Sequence, residues 1–435
     1  MQCKEKTSDV SSREKKMAKA SVWLIALCWL VYTCSYIGKL GYNANIIQIE
    51  QLFNVSHAEA GTVGTFFFFA YGAGQIINGI FCKKYNVKYV VFGGLILSGL
   101  MNVLLGVGAS FAAIKYLWII NGAALSVLWV SLIRFLSETL DKKYMAKAVV
   151  AMGTTVAIGT FLVYGMSALF VAFNNFKLVF FLAGILLPVI AFVWLIAAPS
   201  LAGKLKRGEM QEKTAESNAV QAQNPAKKPP VSKGLWMLLF IFAIYAIITN
   251  LIKDGLTTWV PIVLNELYEL PGYMSILLTL LLPIGAVFGT AVAVEMNKKV
   301  KNFVSLCAIM FAASSLLVGL VIVLLVKNVV AITVLSFTLV SCLMAGVNNV
   351  ITSMIPLYWR EKINSGLVAG VLNGFCYVGS TISSYVLGYI ADFNGWAAVF
   401  WLLLSLSTVA TAIGLIQYVV EKARSKNLSK ERMKG

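Results

Sequence analysis

Polar and charged positions fall at intervals along this chain, separated by stretches of twenty or more residues that are almost wholly apolar. A stretch of about 20 such residues crosses the hydrocarbon layer of a bilayer as a helix. The pattern predicts twelve spans, near 21–49, 59–82, 88–110, 112–137, 147–172, 177–198, 235–263, 273–296, 303–325, 329–357, 366–390 and 397–420. One connection differs from the rest. Residues 200–234, SLAGKLKRGEMQEKTAESNAVQAQNPAKKPPVSKG, are polar and carry no apolar period, as expected of a flexible linker. The linker divides the spans into six and six. The expected organisation is a tail at 1–20, a six-helix bundle at 21–199, the linker at 200–234, a second six-helix bundle at 235–420 and a tail at 421–435.

Composition agrees with an all-α integral membrane protein. Of 435 residues, 59% are hydrophobic and 12% charged, where a soluble domain carries roughly a quarter charged residues. The basic N-terminal stretch runs into an apolar segment without a small-residue cleavage pattern, so the first helix is expected to be retained rather than removed as a signal peptide.

Charge then gives an orientation. Lys83, Lys84, Lys88, Lys142, Lys143, Lys147, Lys298, Lys299, Lys301, Arg360 and Lys362 fall in one set of loops; the alternate set holds little beyond Lys115, Lys177 and Lys327. Lysine and arginine stay on the cytoplasmic side, which places both termini in the cytoplasm of a multi-pass cell-membrane protein. Topology accounts for most of the net charge of +18. Because the cations are scattered over loops, nucleic acid is not an expected partner; the lipid bilayer and a small anionic substrate are, with the chain acting as a monomer.

Against this background the segment SYIGKLGYNAN, residues 35–45, stands out, because it carries Lys39 inside the first span. A charge at the bilayer centre costs about 2.5–3.5 kcal/mol on insertion scales, so such residues face a cavity or a partner. The seventh span repeats the arrangement: Lys253 in NLIKDG matches Lys39 in YIGKLG, each followed two residues later by glycine and each at the same distance from the start of its span. Repeated halves with a site between them at mid-membrane are a hallmark of secondary transporters. Asp254 adjoins Lys253, but helical neighbours point about 100° apart, so no simple pair is expected. Two ammonium groups at matched depth, with few carboxylates to neutralise them, predict an anion site that the ligand completes. Tyr32, Ser35, Tyr36, Tyr42, Asn43 and Ile46 share the Lys39 stripe; Thr249, Asn250 and Thr257 share that of Lys253. Gly61, Gly64, Gly72, Gly74, Gly79, Gly153, Gly159, Gly374 and Gly379 are expected to admit close helix contact.

Enzyme chemistry finds no foothold. Cys3, Cys28, Cys34, Cys82, Cys307, Cys342 and Cys376 lack metal-ligand spacing, and most are expected to fill apolar helix faces. His57 is the sole histidine, expected in a loop without chemistry. No phosphate-cradling glycine loop is present. Neither a metal nor a cofactor is expected.

Motifs add a family. AGVLNGFCYVGSTISSYVLGYIADFNGW (369–396), KDGLTTWVPIVL from Lys253, AYGAGQIINGIFCKKYNVK from Ala70, and Trp129 to Arg134 resemble the major facilitator superfamily. Within it they resemble the organophosphate:phosphate antiporters of glycerol phosphate and hexose phosphate. The resemblance implies two pseudo-symmetric six-helix bundles and rocking of the halves about a central site, with a phosphorylated metabolite exchanged for inorganic phosphate. It puts Lys39 and Lys253 where the family has two substrate-binding arginines, with Tyr36, Asn250 and Tyr377 lining the path, and Asn373 lies in the same segment. Gln75 replaces a basic residue and Thr155 a histidine found in some members. A compact ammonium replaces the planar guanidinium at both positions, and the site is less positive than the family's. A proton-coupled carrier of a carboxylate or other monoanion is the competing expectation, and a transporter-like membrane sensor a third. Lys83 replaces an aspartate of the superfamily's loop motif, and Arg134 is expected to be structural.

Overall fold

The computed structural model describes residues 2–81, 84–215, 233–327, 329–359 and 365–432. Cys82, Lys83, Arg360 and Lys362 lie outside them, as does 216–232 of the linker; of Cys3, only its place in a helix is described.

The described residues form helices joined by short turns. In chain order they form α1 (Gln2–Ala44), α2 (Ile46–Phe53), α3 (His57–Phe81), α4 (Val87–Gly106), α5 (Phe111–Thr139), α6 (Lys142–Ala172) and α7 (Leu178–Ala215). There follow α8 (Lys233–Leu267), α9 (Gly272–Thr279), α10 (Leu281–Lys299), α11 (Phe303–Lys327), α12 (Val330–Asn349), α13 (Ile355–Tyr358) and α14 (Ser365–Arg432). Their apolar stretches supply eleven candidate membrane spans, and the last, Val368–Val420, is 53 residues long. It is two spans joined across a sharp kink at Gly395, whose φ of 76° suits a residue without Cβ. The expected spans at 366–390 and 397–420 therefore meet without a loop.

Three boundaries differ from the expected ones. The first span breaks at Asn45, and α2 ends on Asn54 in the left-handed region, φ 50°. The eighth span is interrupted at Leu280, between α9 and α10. Helix α7 continues to Ala215, so the first part of the polar 200–234 segment extends the sixth span as helix.

The N-terminal helices α1 to α7 pack on one another, as do α8 to α14, and the two sets meet along α3 and α14, with further contacts of α6 on α9 and α10, and of α1 and α2 on α8. Glycines make the α3–α14 seam. A Cβ on Gly61 would lie 2.0 Å from the Ser384 carbonyl oxygen, and one on Gly72 would lie 2.7 Å from Tyr377 Cβ. Gly153 departs from expectation: among the described residues no atom of another helix comes within 4 Å of where its Cβ would be. Beneath the seams the core is aromatic, with Trp118, Trp194, Tyr245 and Phe311 fully buried.

Candidate central anion site

Lys39 is buried at 6% exposure in the last turns of α1, and its ammonium group lies among phenol rings. Nζ is 4.0 Å from the centroid of Tyr71 on α3, 5.1 Å from Tyr36 on α1 and 5.6 Å from Tyr377 on α14. Ring quadrupoles stabilise a cation at such distances. Among the described residues no carboxylate forms an ion pair with Lys39. The tyrosines support one another: Tyr32 and Tyr71 hydroxyls are 3.2 Å apart, and the Tyr71 and Tyr377 rings are 5.0 Å apart. Cage and cation thus come from both halves.

Lys253 is partnered differently. Its Nζ donates to Asn250 Oδ1 at 3.0 Å and lies 3.3 Å from Asp254 Oδ1. The expectation that adjacent residues would not pair is wrong here: the Cα–Cβ vectors diverge, but the four-carbon lysine stem swings the ammonium back across the helix face. Asn250 Nδ2 donates to Asn348 Oδ1 on α12 at 3.1 Å, and the Cys376 thiol approaches the same oxygen at 3.4 Å. Cys376 is therefore more than an apolar filler. One turn beyond Asn348, the backbone forms a π-helical turn at Val350–Met354, a distortion frequent beside functional sites.

Asp254 ties the two clusters together. Ser380, one turn beyond Tyr377 on α14, donates through Oγ to its Oδ2, the Tyr377 ring faces Lys39, and Tyr164 of α6 donates to the Thr257 carbonyl of α8 at 2.7 Å. Since Tyr36 and Tyr377 face Lys39, both lysines and Asp254 belong to one polar cluster built by α1, α3, α6, α8, α12 and α14.

The other predicted residues make contacts of their own. Gln75 on α3 accepts a hydrogen bond from Asn373 Nδ2 of α14 at 2.6 Å, so these two pair across the halves. Asn43 Nδ2 donates to Thr258 Oγ1 at 2.8 Å, another bond between the halves. Tyr42 is buried against Trp118 and donates to the Ala60 carbonyl at 3.0 Å. Thr155 is fully buried, and its hydroxyl donates to Met152 O of its own helix. Arg134 bonds Glu138 and the Tyr85 carbonyl.

A second polar cluster lies where α2 leads into α3. His57 opens α3 instead of lying in a chemically idle loop. Its Nδ1 is 3.1 Å from the Glu50 carboxylate and its Nε2 is 3.2 Å from Glu266 of α8. Asp392 of α14 accepts from the His57 and Ala58 backbone N–H groups at 3.0 and 2.7 Å, capping α3 from the opposite half. Trp396 Nε1 donates to Glu266 at 2.7 Å. Glu50 lies beyond the first span; burial pushes its carboxyl up from the ordinary value and the His57 hydrogen bond draws it part of the way back. Asp254, Ser380 and this clamp were not identified as a set from sequence, although Asp392 and Trp396 stand in the quoted 369–396 motif.

With this geometry in view, comparison with known proteins fixes the family. Residues 28–365 match the sequence profile of the Major Facilitator Superfamily. The chain belongs to the major facilitator superfamily. It is 22% identical over 384 residues to the probable hexose phosphate transport protein of Chlamydia muridarum, covering 81% of each chain. It is 20% identical to the glucose-6-phosphate exchanger SLC37A2 of Bos taurus, over 94% of this chain and 96% of that one. A shorter match, 30% identical over 98 residues, is to the membrane sensor protein UhpC of Escherichia coli and spans only 22% of that sensor. These relatives are transport proteins, an exchanger and a sensor; none is named as an enzyme. Among solved structures, the fold superposes with a TM-score of 0.70 on a bacterial homologue of the human lysosomal transporter Spinster in an inward-facing, occupied conformation, at 12% identity over 91% of this chain and 96% of that one. The chain is a multi-pass, all-helical membrane protein of this superfamily, and its similarities lie with the organophosphate:phosphate antiporters.

Proposed function

We propose that this protein exchanges a small phosphorylated metabolite, of the hexose phosphate or glycerol phosphate class, for inorganic phosphate by alternating access of its two halves. The observation that carries the reading is the Lys39 ammonium: buried, ringed by tyrosines from both halves, and without a carboxylate partner among the described residues. An ammonium so placed lacks the hydration it would have in water, and an anionic oxygen supplies that stabilisation. Lys253 and Asn250 offer further donors to the same ligand, and Tyr36, Tyr71 and Tyr377 can donate to its oxygens or pack on its carbon skeleton. The seams crossed by Asn43–Thr258 and Gln75–Asn373 are the contacts that rocking would remake. The relatives of nearly full-length match include a hexose phosphate transport protein and a glucose-6-phosphate exchanger, which supports a phosphate ester as cargo. The chain would work as a monomer in the cell membrane with both termini cytoplasmic, its bundles at 21–199 and 235–420.

One observation favours a second reading. Asp254 is a carboxylate inside the site, as a proton-coupled carrier of a carboxylate or other monoanion requires. Proteoliposomes loaded with inorganic phosphate and presented with labelled phosphate or glucose 6-phosphate separate the two. Rapid counterflow that needs internal phosphate supports exchange; acid-driven net uptake of a carboxylate, independent of internal phosphate, supports the second reading. Ligand binding without flux would instead indicate a sensor.

A further inference from the structure

The central cluster holds two ammonium groups and one carboxylate, and the three are not equivalent. Among the described residues Lys39 has ring contacts and no carboxylate partner, whereas Lys253 is already engaged by Asp254, itself anchored by Ser380. From their own element and from those packed against it, the groups facing Asp254 are Lys253 on α8, Ser380, Tyr377 and Cys376 on α14, Tyr36 on α1 and Tyr164 on α6. Lys253 is the only cation in that set. The cluster therefore carries one net positive charge, and Lys253 and Asp254 each keep only 22% side-chain exposure.

We propose that Asp254 is a specificity-determining residue that restricts the site to anions bearing a single negative charge. This rests on the reading of the site as one for phosphate esters. A ligand with one charge neutralises the cluster. A doubly charged one leaves a net negative charge in poorly solvated surroundings and must also compete with the Asp254 carboxylate for Lys253, and an uncompensated buried charge is strongly disfavoured. For a phosphate ester, whose second ionisation falls near pH ~6, the site selects the singly protonated form. Its apparent affinity for such an ester is then expected to rise as the pH falls from 8 toward 5.5. A hexose 6-sulfate, which keeps one charge across that range, should bind without this rise. Because the sulfate and phosphate esters share shape and differ in charge, their ratio of affinities reads charge selection and not packing.

The test is binding to the purified full-length protein, followed by intrinsic tryptophan fluorescence, with glucose 6-sulfate and glucose 6-phosphate at pH 8 and pH 5.5. In the unaltered protein the sulfate should win at pH 8, and the two esters should converge at pH 5.5. Asp254→Asn should reverse the pH 8 preference, changing the affinity ratio by about tenfold or more, as the loss of one nearby charge requires; Asp254→Glu should restore it. Equal binding of both esters by the unaltered protein at pH 8, or an unchanged ratio in Asp254→Asn, would overturn the proposal while leaving the phosphate-ester reading standing. Absence of binding by either ester at both pH values would overturn both. The measurements on the unaltered protein decide the matter even if Asp254→Asn does not fold.

Discussion

His57 Nε2 lies 3.2 Å from Glu266 Oε1, joining the start of α3 in one half to the end of α8 in the other, while its Nδ1 is held by Glu50 of its own half. Asp392 and Trp396 complete this clamp from α14. The central lysines precede the clamp residues Glu50 and Glu266 along the chain by about three turns, Lys39 in the last turns of α1 and Lys253 in the middle of α8, so the clamp closes one end of the proposed path to them. Alternating access requires that it break in the other state.

Glu266→Gln is accordingly expected to weaken the contact between halves and shift the population toward opening at this end. Spin labels on Leu52Cys and Phe393Cys, both at exposed positions of opposite halves, should report a longer and broader distance distribution. Glu50→Gln should act more weakly. Burial already pushes the Glu50 carboxyl up, so its charged form is disfavoured in the folded protein and neutralising it costs little. The sign follows: a carboxyl raised on folding is relieved as pH falls toward its folded value, so this residue does not destabilise the clamp in mild acid. Equal distance shifts in the two variants would contradict the assignment of Glu266 as the residue that links the halves.

The two lysines are expected to respond differently to truncation. Lys39→Ala removes a cation with no carboxylate left behind, so the protein should fold and exchange should be lost. Lys253→Ala should also abolish exchange but leave the Asp254 carboxylate without its cation, with Ser380 still donating to it, at a cost toward the lower end of the ~1–3 kcal/mol of an unsatisfied buried group because the pair is partly solvated. Adding Asp254→Ala to Lys253→Ala should recover thermal stability without recovering transport. Unchanged uptake in both single variants would refute the central site.

These asymmetries mark the border of what the sequence conveys. Spans, the repeated lysines and the family were legible because apolar length, charged loops and the KxG repeats are local signals, and the matching of Lys39 to Lys253 needs only counting along a helix. The Lys253–Asp254 pair is not legible in the sequence because the angle between adjacent helical residues says nothing of how far a lysine stem can fold back. The clamp was missed because His57, Glu266 and Asp392 are brought together by the crossing of three helices far apart in sequence, a relationship without periodicity. Tyr71, the closest ring to Lys39, likewise lies on a different helix, outside the stripe that spacing could identify.

Gln75 and Asn373 join α3 to α14 through a neutral hydrogen bond. Gln75→Ala or Asn373→Ala should cost about 1 kcal/mol in the state shown here. If this bond is remade during transport, the larger effect will be on exchange rate. Steady-state counterflow by the two single variants and the double variant checks this: non-additive losses are expected from residues that act through one bond.

The last expectation concerns the seam itself. Gly61 sits where its missing Cβ would fall 2.0 Å from Ser384 O, a backbone atom that cannot rotate away, whereas at Gly72 the obstacle is the Cβ of Tyr377. Gly61→Ala must therefore push α3 and α14 apart along their length, at roughly the 1–3 kcal/mol that overpacking costs, and the clamp at His57, four residues earlier, should loosen with it. Gly72→Ala displaces Tyr377, a wall of the Lys39 cage, so ligand affinity should fall more than stability. Gly153→Ala, where open space surrounds the site of a Cβ, should leave both unchanged and serves as the control. Thermal unfolding with and without glucose 6-phosphate distinguishes the three, because at a given ligand concentration the stabilisation of the folded protein grows with the logarithm of the affinity. A Gly61→Ala protein as stable as the unaltered one would show that the α3–α14 contact relaxes freely, contrary to a seam set by backbone approach.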